Sequence, residues 1–448
     1  MKRIASMVLA IAMLLTIGLA AAEAYTTDFD VPATGKPLVI YSWNDEFQGM
    51  LKNYYIPAVG GTVEDDGTMI LPNGDKIEFV INPNDGGVYQ QKLDAALSAG
   101  EKLDMFLMEA DYALKYVNSD YTLPLSEIGI TEDALKDQYP YTVDVARDEN
   151  GAIKGSSWQA APGLFLYRRS LAEKYLGVKT PEEMQEKVKD WDTFLETARE
   201  VAKASENATK LIPSNGDVWQ VIRTKRESPW VNDDLELVID DQVKWYFDFA
   251  KTLRDENLTA NANPWSEAWN AGIGNDSIMG YFFSTWGIQW VMTGNCGGAA
   301  PGEGTYGDWA AVDGPQPYYW GGTWLAAASS CENKPLVKDI IEYFTIEEGS
   351  MKDYCLKSKD YVNNTVAIQN IIDAGFTFDF LGGQDHYSLF QAVTPLIDTS
   401  TMSPYDQNIN MLMDTEVNSY VNGDKDFDTA IADFKNAVVD MFPEITAE

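Results

Sequence analysis

Leu38-Val-Ile-Tyr-Ser-Trp43-Asn-Asp-Glu46 is an apolar run that ends in polar side chains and passes directly into a helical pattern from Phe47. The order recurs twice. A run over residues 77–82 ends in the turn Pro83-Asn84-Asp85-Gly86-Gly87, and apolar positions at Tyr89, Leu93, Ala96 and Leu97 follow at helical spacing. Residues 103–108 form a third run, closed by Glu109-Ala110-Asp111 ahead of another helix. Strands alternating with helices, with polar loops at the strand ends, predict an α/β lobe that takes a ligand at the carboxyl edge of its sheet.

A second stretch carries the aromatic character of the chain. Tyr318-Tyr-Trp-Gly-Gly-Thr-Trp324 sets four large rings around two glycines, and glycine weakens a strand unless something must approach its backbone. The rings are either core or a stacking surface. Phe283-Ser-Thr-Trp-Gly-Ile-Gln-Trp290 follows a short buried-strand pattern and adds more rings. Trp191 and Trp245 fall among apolar helical neighbours and read as core. Trp43, Trp158, Trp286, Trp320 and Trp324 sit at strand ends or beside glycine and proline, where core and ligand surface both remain open.

Composition narrows the class. The chain has 448 residues, 45% apolar and 12% aromatic, enough for two lobes with full cores. Its 33 basic and 69 acidic side chains leave a net charge of −36, which opposes a nucleic-acid or anionic-membrane partner. Three cysteines, Cys296, Cys331 and Cys355, allow one disulfide at most and read mainly as packed thiols. With His386 the single histidine, most zinc sites and catalytic triads are excluded, and neither a metal site nor a cofactor is expected. Residues 1–24 read as a secretory signal: Lys2 and Arg3, an apolar run, then Ala22-Glu23-Ala24 before Tyr25.

Further along, residues 155–168 hold two strand-like pieces split by Ala161-Pro162-Gly163, the expected crossover to a second lobe. Helices are predicted over residues 170–176, 191–204 and 242–257, strands over 277–283, 309–312 and 319–328, and helices over most of the remainder. Ile431, Phe434, Val438, Met441 and Phe442 mark a docked terminal helix. The Gly302-Glu-Gly-Thr-Tyr-Gly307 motif matches a dinucleotide fingerprint in letters, but it lacks a preceding strand and carries Glu303 where a phosphate would sit. Asp424-x-Asp426-x-Asp428 lacks the glycine and the terminal glutamate of a calcium loop and reads as a helix cap. Paired carboxylates for glycoside hydrolysis carry no signal among so many acids.

A sugar ring offers an apolar C–H face and a rim of hydroxyls, so its site needs flat aromatics beside short polar acceptors. Trp43 with Asp45 and Glu46, and Trp158 with Gln159, supply both. At these residues the chain resembles a known family, the extracellular solute-binding proteins of carbohydrate ABC importers, which includes maltose-binding protein. The resemblance runs from Leu38 to about Phe442. It is carried by Leu38-Val-Ile-Tyr-Ser-Trp-Asn-Asp45, Asp104-Met-Phe-Leu-Met-Glu-Ala-Asp111, Trp158-Gln-Ala-Ala-Pro-Gly-Leu-Phe-Leu-Tyr-Arg168, residues 280–286, Gly321-Gly322 and Met402-Ser-Pro-Tyr-Asp406.

The resemblance implies the two-lobed periplasmic-binding-protein fold of type II, with lobes joined by a multi-segment hinge near residues 161–163, Ser284 and Ala326. The first lobe would comprise residues 37–158 with 285–328, and the second 159–284 with 329–448. It implies binding of a sugar or oligosaccharide without chemistry, and delivery to ABC permease subunits by a monomer at the periplasmic or extracellular face. The expected ligand-binding residues are Trp43, Asp45, Glu46, Asp111, Trp158, Gln159, Trp219, Trp286, Trp320, Gly322, Trp324, Tyr405 and Asp406. Relatives from Gram-positive bacteria usually carry a lipid-modified cysteine at the cleavage site; no cysteine precedes Cys296 here, which favours release into a periplasm. Two other readings are a secreted glycoside hydrolase or lyase, and a receptor of the same fold for a non-sugar solute such as a polyamine, in which a quartet of carboxylates would replace the rings.

Overall fold

Alternating strands and helices build two sheets in the computed structural model, which describes residues 25–447. The expected signal segment 1–24 lies outside the described residues. Ten strands are used below: β1 Leu38–Ser42, β2 Thr62–Val63, β3 Met69–Ile70, β4 Lys76–Ile81, β5 Met105–Glu109, β6 Ser156–Ser157, β7 Gly163–Arg168, β8 Gly280–Ser284, β9 Trp309–Val312 and β10 Thr323–Ala327. Among the described residues, seven form one sheet in the order β2-β3-β4-β1-β5-β10-β6, and three form another in the order β8-β7-β9.

In the large sheet β1 runs parallel to both β4 and β5, so the loops after β1 and β5 leave from the same edge. The late strand β10 is antiparallel to β5 and pairs Thr323 with Glu109, which brings the residues before Thr323 to that same edge. The expected strand over residues 319–328 therefore starts only at Thr323. Gly321 and Gly322, at φ +74° and +106°, take a backbone outside the extended region, and the chain is still crossing between sheets there.

Three crossings lie side by side and are tied by hydrogen bonds. Trp320 N–H donates to the Ala161 carbonyl (3.0 Å), Gly163 N–H to the Tyr318 carbonyl (2.8 Å), and the Ser284 hydroxyl to the Trp320 carbonyl (2.9 Å). Ala326, expected near the hinge, is instead inside β10 opposite Phe106.

Helix Trp191–Ala204 forms as its sequence dictates. Asp190 accepts the Thr193 N–H in a reciprocal capping box, and Phe194, Ala198 and Val201 recur on one face and are buried. Asp426 likewise caps helix Phe427–Met441 through the Thr429 N–H, which accounts for the acidic repeat at 424–428.

One assignment differs from the packing. Residues 329–397 were expected in the second lobe, yet Leu336, Ile340, Ile368 and Phe390 join the apolar cluster that holds Leu38, Ile40 and Phe106 of the large sheet. Phe380 in the same segment stacks on Trp309 of β9 (6.3 Å, 15°), so these helices span from one sheet to the other. Helix Asp406–Asn422 and helix Phe427–Met441 pack into the second core through Ile409, Met413, Phe434 and Val438. Helical periodicity states that a face is buried, without stating against which sheet.

Candidate functional site

The loop after β1 and the end of β5 meet the crossing at 318–322 and the start of the helical segment after β8. Between them lies a cleft of about 770 Å³. That volume is in the range of small-ligand sites. From the large sheet come Trp43, Asn44, Asp45 and Glu46 after β1, and Glu109 at the end of β5. The crossings add Gln159, Trp320, Gly321 and Gly322, the segment after β8 adds Trp286, Trp290 and Val291, and Trp265 approaches from the loop ahead of helix Glu267–Ile273. Two π-helical turns, Leu51–Tyr55 and Ile288–Met292, border the cleft and present Asn53 and Tyr54, and Trp290 and Val291. Such turns are rare and recur at functional sites because the widened ladder re-aims side chains.

The rings form an ordered wall. Trp286 lies parallel to Trp265 (centroids 6.0 Å, 11°) and edge-on to Trp320 (5.5 Å, 77°), and its Nε1–H donates to the Trp320 carbonyl (2.8 Å). Trp265 and Trp290 are 53% and 55% exposed, which is unusual for so large an apolar side chain. Trp265 also holds φ at +69°, a left-handed backbone that costs a bulky residue of order 1–3 kcal/mol and that collects at ligand sites. On the facing side Trp43 stands edge-on to Tyr89 (5.6 Å) and Tyr112 (6.3 Å), half-buried.

Polar groups fill the floor. Buried Gln159 donates from Nε2 to Oδ2 of the buried Asp360 (2.7 Å). Burial, reinforced by Asp360, pushes the Glu46 carboxyl up to about 7, and burial pushes Asp360 itself to about 6. Burial and the adjoining Asp111 push Glu109 up to about 8. Glu109 accepts the Asp111 N–H (3.0 Å). Tyr354 lines the cleft from helix Glu348–Ser358 with its hydroxyl buried and without a hydrogen-bond partner.

Of the residues expected from the sequence, the cleft brings together Trp43, Asp45, Glu46, Gln159, Trp286, Trp320 and Gly322. The others lie elsewhere. Asp111 is engaged by Arg223 of the second lobe (2.9 Å). Trp158 is only 1% exposed and stacks on Phe47 (5.4 Å, 10°), inside the first core. Trp324 is buried, with Nε1–H donating to the Thr142 carbonyl (2.8 Å), and Trp219 is buried face to face with Tyr246 (4.9 Å, 29°). Tyr405 packs edge-on to Phe442, and Asp406 accepts from Ser403 at the start of helix Asp406–Asn422. Trp324 is turned inward by the alternation of β10, and Trp158, in the bend after β6, by its stack on Phe47; a neighbouring Gly or Pro reports neither.

Glu109, Trp265, Trp290 and Tyr354 line the cleft without being among the ligand-binding residues expected from the sequence. Trp265 follows Pro264 and meets the criterion used for the other tryptophans, so it was legible; Tyr354 sits mid-helix with no local signal. The five tryptophans on the lining are the rings that a polyamine site built on a carboxylate quartet would lack. Cys296, Cys331 and Cys355 are free and buried.

Comparison with known proteins sets this geometry in context. Residues 73–351, more than half of the chain, match the model of a family described as bacterial extracellular solute-binding protein. No curated protein matches. Among solved structures, one described as an extracellular solute-binding protein of family 1 is 17% identical with a TM-score of 0.74, over 90% of this chain and 99% of that one. An ABC transporter associated binding protein from B. animalis subsp. lactis, in complex with beta-1,6-galactobiose, is 19% identical with a TM-score of 0.68, over 94% and 100% of the two chains. The galacto-N-biose/lacto-N-biose I-binding protein of the ABC transporter from Bifidobacterium longum, in complex with lacto-N-biose, is 14% identical with a TM-score of 0.70, over 94% and 100%. These likenesses establish the two-lobed periplasmic-binding-protein fold.

Proposed function

The chain belongs to the bacterial extracellular solute-binding protein family, and we propose that it is the receptor of an ABC importer that captures a sugar or oligosaccharide in the cleft between its lobes. The observation that carries this reading is the pairing, in one cleft, of exposed indole faces with short polar acceptors. Trp43, Trp265, Trp286 and Trp290 offer flat apolar surface to C–H faces, and Asn44, Asp45, Glu46 and Glu109 offer acceptors to hydroxyls. Neither set alone would select a sugar. Two similar folds whose descriptions name a bound disaccharide support the same ligand class.

The lobes close over the sugar, and the closed form, a monomer, engages membrane permease subunits at the outer face of the cell membrane. Binding is the whole of the activity: the sugar leaves unchanged. Product analysis after prolonged incubation with oligosaccharides checks this, and any cleaved product would make the protein an enzyme.

Thermal unfolding of residues 25–448 against mono- and oligosaccharides tests the function directly. A sugar at about a hundred times its dissociation constant adds about 2.7 kcal/mol to stability and raises the midpoint. No shift with any sugar would reject the receptor reading. Trp286→Ala should then weaken the best sugar by about 2 kcal/mol, roughly thirtyfold in Kd, because the indole anchors the stacked wall. Unchanged affinity in isothermal titration would remove Trp286 from the site.

A further inference from the structure

We propose that the sugar taken by this cleft carries a positively charged amine, held by Asp45, Glu46 and Glu109 against the tryptophan wall. The inference rests on the sugar-receptor reading above and narrows its substrate class. Three carboxylates line the cleft, while no described lining residue is Lys or Arg. Among the described residues none of the three is ion-paired, although Asp111, two positions from Glu109, is matched to Arg223. The cleft thus presents carboxyl groups with no basic side chain among its lining residues, whereas the neighbouring interlobe contact has one.

The rings fit the same ligand. An indole face carries the negative side of its quadrupole, and a cation over tryptophan is the strongest of the side-chain cation–π contacts. Beside Gly321 the two kinds of group come close: a Cβ built there would stand 3.0 Å from Nε1 at the edge of Trp286 and 3.8 Å from Oε1 of Glu109, so the carboxylate lies next to the ring that walls the cleft. Tyr354, 3% exposed, also borders the cleft, with its hydroxyl buried.

With a neutral sugar, lobe closure leaves Glu46 and Glu109 protonated, because a buried charge is costly unless it is matched. An ammonium group supplies the match and draws these carboxyls into the ionised form. The set of charged groups around each acid agrees: Glu46 faces Asp45 and Asp360, and Glu109 faces Asp111 with Arg223 behind it. Both acids hold their protons up to neutral pH, so an ammonium ligand should displace protons as it binds, and a neutral sugar should not. Metal ions are a poor alternative occupant, since the described residues contain no group of three His, Cys, Asp or Glu side chains placed to hold one.

Isothermal titration with matched pairs tests the proposal: glucosamine with glucose, galactosamine with galactose, and the glucosamine disaccharide with cellobiose. The expected result is at least one pair in which the amine form binds about tenfold or more tightly, the scale of one or two desolvated cation–π and ion-pair contacts. Proton release, measured in buffers of different ionisation enthalpy, should accompany the amine form only. Glu109→Gln, which keeps the shape of the side chain, should reduce that preference, the amine form losing at least several-fold more affinity than its neutral partner; equal losses for the two would remove Glu109 from the amine site. If the neutral sugar binds as tightly as its amine form in every pair that binds, the proposal is overturned and the sugar-receptor reading stands. If no sugar of either kind binds, both fall together.

Discussion

Gly321 shows how much of the site depends on a side chain that is absent. Its backbone sits at φ +74°, and the nearest atoms to a would-be Cβ belong to Trp286 and Glu109. Alanine there meets two penalties: a left-handed backbone, about 1–2 kcal/mol for a residue with a Cβ, and displacement of the indole that forms the wall. Gly321→Ala is therefore expected to lower the denaturation midpoint and also to weaken sugar binding, because the indole must move to admit the methyl group. Denaturant unfolding together with titration separates these effects. A variant that loses stability but keeps its affinity would mean that Trp286 tolerates the shift.

At the scale of elements, the lobes are joined by more than their three crossings. Asp111 follows β5 of the large sheet, and Arg223 follows helix Asn215–Ile222 of the second lobe; their ion pair at 2.9 Å spans the interlobe boundary. The Arg223 side chain is mostly buried, so the pair is poorly screened and its loss leaves a carboxylate without its cation. Arg223→Ala should shift the sugar-free protein toward open lobes, read as a larger radius of gyration in small-angle scattering, with the sugar-bound radius restored at saturation. An unchanged radius in the sugar-free variant would show that the crossings alone set the lobe angle.

The whole molecule carries its strained titrations in the cleft and the cores. Glu46, Glu109, Asp217 and Asp360 are pushed up to about 7, 8, 6 and 6, chiefly by burial. A carboxyl with a raised pKa in the fold binds its proton more tightly folded than unfolded. Its contribution to stability is full below the unfolded pKa near 4 and is lost as pH rises through the folded value. His386 acts in the opposite sense. Burial lowers it to about 3, so its stabilisation is present above its unfolded pKa near 6.5 and is lost as pH falls below that. Between pH 8.5 and 7, above the range in which His386 titrates in the unfolded chain, the contributions of Glu109 and Glu46 dominate, and the unfolding midpoint should rise on acidification across that window. A midpoint that falls over the same interval would contradict the burial of these two carboxyls.

Much of this architecture was legible in the chain itself. Helix Trp191–Ala204 and strand β9 appear where apolar spacing puts them, because periodicity of 3.6 or 2 is a local property that burial of one face enforces. The strand-then-acid order at Trp43 to Glu46 likewise placed those residues at the sheet edge where the cleft opens, since parallel neighbours end together. Tertiary structure alone decided the rest. Trp158 and Trp286 have similar sequence surroundings, yet one stacks inside the first core and the other walls the cleft, according to which face of the crossing each side chain leaves. Tyr354 reaches the site, and residues 329–397 return to the large sheet, through contacts between parts of the chain far apart in sequence. A local pattern records that a side chain is buried; only the packed fold determines what buries it.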